Sequence, residues 1–150
     1  MQWAAPLLER RSAAVRSQVD LSRRLDLSQI ADQTELGARL TAQDALEELE
    51  CGHNDVGDAG VVSLLALMRQ PSVCAQLRYI GLARNAIGDR GATAIAKHLE
   101  SAATPRLERL DLRDNAIGDE GAAALGRALQ HTRNLREIVL FHNAISRFDT

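Results

Sequence analysis

LERLDLRDNAIGDEGAAALGRAL, residues 107–129, decides how this chain folds. It falls into two halves of different period. In the first half Leu110 and Leu112 alternate with Arg109, Asp111 and Arg113, the two-residue rhythm of a strand with one apolar and one polar face. In the second half Ala124, Leu125, Ala128 and Leu129 fall at i, i+1, i+4 and i+5, which makes one apolar helix stripe. Leu107 and Ile117 close the apolar layer from either side of the strand.

The same unit recurs along the chain. LEELECGHNDVGDAGVVSLLALM starts at Leu46, LRYIGLARNAIGDRGATAIAKHL at Leu77, and a shorter LREIVLFHNAI at Leu135. The four starts, Leu46, Leu77, Leu107 and Leu135, lie 31, 30 and 28 residues apart. The shared pattern is L-x-x-L-x-L-x-x-N-x-I-G-D-x-G, followed by an alanine- and leucine-rich helix. A fixed period of this length predicts an α/β solenoid, in which each coil buries its apolar side against its neighbours.

Each repeated position has a physical task. Asn54, Asn85, Asn115 and Asn143 stand where the chain leaves the strand and bends inward. A side-chain amide has donors and an acceptor, so these residues are expected to form a structural ladder on the backbone of their own and the next coil. Gly57, Gly88 and Gly118 are expected to turn the chain before each helix. Asp58, Asp89 and Asp119 follow, where a carboxylate can cap the free amides of its own helix. Gly60, Gly91 and Gly121 in the first helical turn imply close approach to a neighbouring coil.

The motif N-x-I-G-D-x-G-A-x-A-L over residues 46–145 resembles the ribonuclease-inhibitor-like leucine-rich repeats. That resemblance implies a right-handed coil per repeat, parallel strands on a concave face and helices on a convex face. Relatives of this type include Ran GTPase-activating proteins, tropomodulin-like actin regulators, immune receptors and many ciliary and cytoskeletal proteins. The repeat is a scaffold shared by unrelated binders, so none of their functional residues is carried over.

The ends depart from the pattern. Residues 22–30, SRRLDLSQI, read as a degenerate first strand with Leu25 and Leu27 in core positions. Residues 1–20 are expected to form an N-terminal helix or cap, starting near Pro6 and carrying Trp3. The repeat domain is then 21–150, with a degenerate coil at 21–45, full repeats from 46, 77 and 107, and a partial repeat from 135.

Composition excludes several function classes. The apolar fraction is 45% but aromatics are only 3%, so leucine and alanine must build the core in thin aliphatic layers. A net charge of -2 gives no basic field for nucleic acid or an anionic membrane, and neither partner is expected. Cys51 and Cys74 lack metal-ligand spacing and read as passive core residues of a reducing, cytoplasmic compartment. His53, His98, His131 and His142 read as solvated loop residues. No phosphate-cradling loop or catalytic constellation is present, so no enzyme activity, cofactor or metal is expected.

A repeat scaffold exposes its variable residues on the strand face. Three columns are expected across the coils: Arg24, Glu48, Tyr79, Arg109, Glu137; then Asp26, Glu50, Gly81, Asp111, Val139; then Ser28, Gly52, Ala83, Arg113, Phe141. Gly81 and Ala83 suggest a shallow gap beside Tyr79. The candidate partner-binding residues are Glu48, Glu50, Tyr79, Arg109, Asp111, Arg113, Glu137 and Phe141. A second candidate contact is the C-terminal end of the solenoid, at Val139, Ile145 and Phe148.

The expected function is a non-enzymatic scaffold or adaptor, a structural subunit of a larger intracellular assembly; resemblance points to cytoskeleton or cilium. The alternatives are a regulatory module for a small GTPase or actin, and a mitochondrial accessory subunit, since the leader with Arg10, Arg11 and Arg16 is arginine-rich and acid-poor.

Overall fold

The computed structural model describes residues 17–20 and 46–146. Five parallel strands form one sheet in chain order: β1 (Ser17–Asp20), β2 (Leu46–Glu50), β3 (Tyr79–Gly81), β4 (Arg109–Asp111) and β5 (Glu137–Val139). Helices α1 (Gly57–Met68), α3 (Asp89–Glu100) and α4 (Asp119–Leu129) return the chain between successive strands. A short helix α2 (Pro71–Cys74), opened by a proline, occupies the first return and was not foreseen. The result is an α/β solenoid with strands on one side and helices on the other.

The strands pair without slippage from β2 onward. Glu48, Tyr79, Arg109 and Glu137 are direct partners, as are Leu49, Ile80, Leu110 and Ile138, and then Glu50, Gly81, Asp111 and Val139. Backbone bonds carry the ladder two residues further, from the N–H of His53 to Ala83 and of Arg84 to Arg113. The inward row is aliphatic and closes on the helices: Leu46, Leu49, Leu64, Met68, Leu77, Leu82, Ile87, Leu110, Leu112 and Ile117 are fully buried.

The strand next to β2 is a correction. It is Ser17–Asp20, with Gln18 opposite Glu48 and Asp20 opposite Glu50, so Arg24 and Asp26 do not head the columns. Val19 stands one full repeat before Leu49, whereas the expected strand at 22–30 needed a shortened coil. Coil length is set by the strand, turn and helix it must hold, and the shared period prevails. The other features expected before Leu46, and Phe148, lie outside the described residues.

The asparagines link successive coils. The Asn85 Oδ1 accepts the N–H groups of Asn54 (2.9 Å) and Val56 (3.3 Å), and its amide donates to the carbonyls of Cys51 and Ala83. Asn115 repeats this one coil later, accepting from Asn85 and Ile87 and donating to Leu82, Leu112 and Arg113. Asn143 accepts from Ile117 and donates to Leu112 and Leu140. The residue before each asparagine is left-handed: His53 (φ 62°), Arg84 (56°), Asp114 (55°) and His142 (58°).

The aspartates do not cap their own helices. Asp89 and Asp119 are already the first helical residues, and Asp58 is the second of its helix, so none occupies the cap position. Their carboxylates reach forward instead. Asp58 Oδ1 accepts the N–H groups of Gly88 (2.7 Å) and Gly91 (2.9 Å), and Asp89 Oδ1 those of Gly118 (2.8 Å) and Gly121 (2.8 Å). Asp119 accepts the N–H of Ser146. Asp58 and Asp89 thus satisfy the helix start of the following coil. A Cβ on Gly91 would lie 2.6 Å from Asp58 Oδ1, and one on Gly121 would lie 2.7 Å from Asp89 Oδ1. Glycine is needed there because the carboxylate fills the space.

His98 is a second correction. It lies on α3 with 2% of its surface exposed, not in a solvated loop. Its repeat equivalents are Leu67 and Ala128, so the imidazole occupies a site meant for an apolar side chain. His53, His131 and His142 are exposed, and Cys51 is buried.

Candidate protein-binding face

The strand face is built by register. Column one carries Glu48, Tyr79, Arg109 and Glu137, held side by side on β2 to β5. The Arg109 guanidinium lies 5.9 Å from the centre of the Tyr79 ring and its Nε is 3.2 Å from Glu137 Oε2. Both partners of that ion pair are about half exposed, so it orients the arginine more than it stabilises the fold. Toward the strand starts, Glu47, Glu48, Arg78, Tyr79, Glu108 and Arg109 line an open hollow of about 350 Å³.

There is no gap beside Tyr79. The Glu50 carboxylate lies over Gly81, where any Cβ would collide with it at 2.5 Å. It accepts the N–H of Gly52 (2.9 Å) and the hydroxyl of Tyr79 (2.9 Å). Burial, and then the hydrogen bond to Glu50 and its charge, hold the Tyr79 hydroxyl protonated well above the usual phenol range. Glu50 and Tyr79 are therefore tied to each other, and what the face offers a partner is the half-exposed ring.

The second column is sunken, which corrects two expectations. Asp111 is 2% exposed and its carboxylate sits 3.3 Å from Arg113 Nε while accepting the Arg113 N–H. Val139 is 7% exposed and belongs to the same column, not to the solenoid end. Both side chains are buried, so neither is open to a partner. Column three is split: Gly52 and Ala83 are buried, whereas Arg113 is half exposed and Phe141 is 54% exposed, its ring set edge-on against His142 at 5.2 Å.

A rim cluster escaped the sequence reading. Asp114 Oδ1 is 2.9 Å from His142 Nδ1, and its Oδ2 is 3.6 Å from Arg84 Nε. These three residues precede ladder asparagines, and the left-handed backbone there turns them toward one edge of the face. Their shared repeat position was the available signal. Ile145 is half buried. The end layer of the last described coil is formed by Leu135, Ile138, Leu140 and Ile145, all only partly buried.

Among the described residues no cluster of histidine, cysteine, aspartate or glutamate is placed to hold a metal ion, and no helix is long and apolar enough to cross a membrane. A larger hollow of about 430 Å³ lies in the connections after α3 and α4, between Thr104, Leu107, His131 and Leu135, away from the strand columns.

Parallel strands, return helices and an asparagine ladder at each coil define a leucine-rich-repeat solenoid. The leucine-rich-repeat family model matches residues 46–65, 73–96 and 105–126, and the chain is a leucine-rich-repeat protein. Among solved structures it is similar to leiomodin-1 actin-binding site 2, with a TM-score of 0.66 and 13% identity, covering 83% of this chain and 69% of that one. No curated protein matches it in sequence.

Proposed function

We propose that the chain is a non-enzymatic protein-binding scaffold that receives its partner on the strand face. One observation carries this. Both aromatic side chains among the described residues, Tyr79 and Phe141, lie on that face, each beside an arginine held in place by a carboxylate. Aromatic and arginine side chains on rigid strands are the groups that dominate protein interfaces. The partner-facing set is then Tyr79, Arg109, Arg113, Glu137 and Phe141, with Glu48 at the margin. A further contact is the partly exposed end layer of Leu135, Ile138, Leu140 and Ile145, which a neighbouring subunit of a larger assembly would cover.

A double variant, Arg109→Glu with Phe141→Ala, tests the reading. Both side chains are exposed, so the fold should stand. Quantitative affinity purification from the native cell should lose the partners recovered with the unmodified protein. A helix-side control, Lys97→Glu, should keep them. Loss with the control and retention with the double variant would overturn the proposal.

A second reading follows from the likeness to the leiomodin actin-binding structure: a cytoskeletal role with actin as the partner. Cosedimentation with purified filaments separates it, since an actin-directed module pellets with actin and the double variant does not.

A further inference from the structure

We propose that His98 makes the middle of the solenoid acid-labile: protonating its ring forces open the seam between α1 and α3 and loosens the strand face built on the same layer. The geometry is specific. Neither Nδ1 nor Nε2 has a hydrogen-bond partner, and the side chain is buried. A crevice of about 10 Å³ beside it is lined by Leu65, Met68, Ile80, Leu82, Leu107 and Leu110 among others, all aliphatic or thioether carbon. That space is at the lower limit for one water, and it presents no polar group to hold a water in place. The neutral ring is tolerated as a flat, mostly apolar filler. An imidazolium there would be a buried charge without a counter-ion.

The surrounding charges do not relieve it. Arg69, just past the end of α1, repels a proton on the ring. β3 and β4 contribute only aliphatic side chains to the contact. On α3 itself the flanking Lys97 and Glu100 are exposed, and α4 turns Ala124, Leu125 and Ala128 inward while Arg127 faces out. Burial first, and Arg69 second, lower the His98 pKa from 6.5 to about 4. A lowered folded pKa means that the unfolded chain takes up the proton more readily. The stability that depends on neutral His98 is therefore complete above pH 6.5 and drains away as pH falls toward about 4. Ile80 and Leu110 touch this crevice and are strand neighbours of Tyr79 and Arg109, so the loss reaches the binding face.

The test compares thermal melting of the full chain and His98→Leu from pH 7.5 to 4.5. The melting temperature of the unmodified protein should fall by roughly 10 °C more than that of the variant over this range. Parallel curves would overturn the proposal. Should the variant not fold, proton NMR of the unmodified protein decides it. The His98 ring should stay neutral down to about pH 5. A His98 resonance that titrates near the ordinary value of 6.5 overturns the proposal equally.

Discussion

The third coil and the fourth carry nearly the same strand, yet they sit in different environments. Leu107, Leu110, Leu112 and Ile117 are buried almost completely, whereas their equivalents Leu135, Ile138, Leu140 and Ile145 are only partly covered. The residues are as apolar in one coil as in the other, so composition does not explain the difference. What differs is the neighbour: among the described residues coil three packs against a coil on both sides, and coil four against coil three alone. Leu129, on the last helix, is likewise 40% exposed although the sequence placed it in the buried stripe. A repeat of this kind does not own its core, because half of each layer is supplied by the next coil.

The largest expected effect comes from truncating one strand position in both coils. Leu110→Ala should destabilise the protein by about 3 kcal/mol, and Ile138→Ala by about 1 kcal/mol, in urea unfolding. Equal losses would mean that the fourth layer is sealed in solution. Sedimentation of the purified protein would then report whether a second copy seals it, which would give the proposed end contact a partner.

Much of this was legible beforehand, and what was missed has a common cause. The columns from Glu48 to Glu137 and the asparagine positions followed from the period, because register in a solenoid is set by repeat length. The direction of a contact is not encoded by spacing. Asp89 stands at the start of its own helix, and nothing in GDRG says that its carboxylate serves Gly118 and Gly121 instead. Likewise, Leu25 and Leu27 looked more strand-like than Ser17–Asp20, and pattern strength outweighed repeat length. Depth was hidden too: Asp111 and Arg113 have the same alternation, but only Asp111 is buried.

The forward-reaching aspartates give an intermediate effect and sharpen the comparison. Asp89 accepts two amides at the start of α4, whereas among the described residues Asp119 accepts the one of Ser146. Asp89→Ala should cost about 2 kcal/mol by leaving two partly buried amides unpaired, against less than about 1 kcal/mol for Asp119→Ala. The asparagines test the same rule, with Asn115→Ala costing roughly 1–3 kcal/mol through the bonds it makes to two coils. Denaturant midpoints of the three variants rank them. Asp119→Ala as damaging as Asp89→Ala would show that the last coil is as firmly held as the inner ones.

The smallest effect separates two coils that share the tripeptide Asn-Ala-Ile. Ala86 is left-handed at φ 55°, while Ala116, at the same repeat position, is not. The backbone bonds differ in step with this. The Ala116 N–H donates back to the Ile87 carbonyl at 2.8 Å, and the corresponding link between the preceding coils is made instead by Gly57, whose N–H donates to Asn85. Coil two therefore meets a neighbour with a differently shaped turn, and Ala86 absorbs the mismatch in its backbone. An L residue with a Cβ is strained in that region and glycine is not. Ala86→Gly should raise stability by about 0.5 kcal/mol after allowing for the looser unfolded chain, and Ala116→Gly should lower it by a similar amount. Opposite signs in the two melting curves would locate the strain in the turn of coil two. Matching signs would mean that the two turns are alike in solution and that the mismatch is not carried by Ala86.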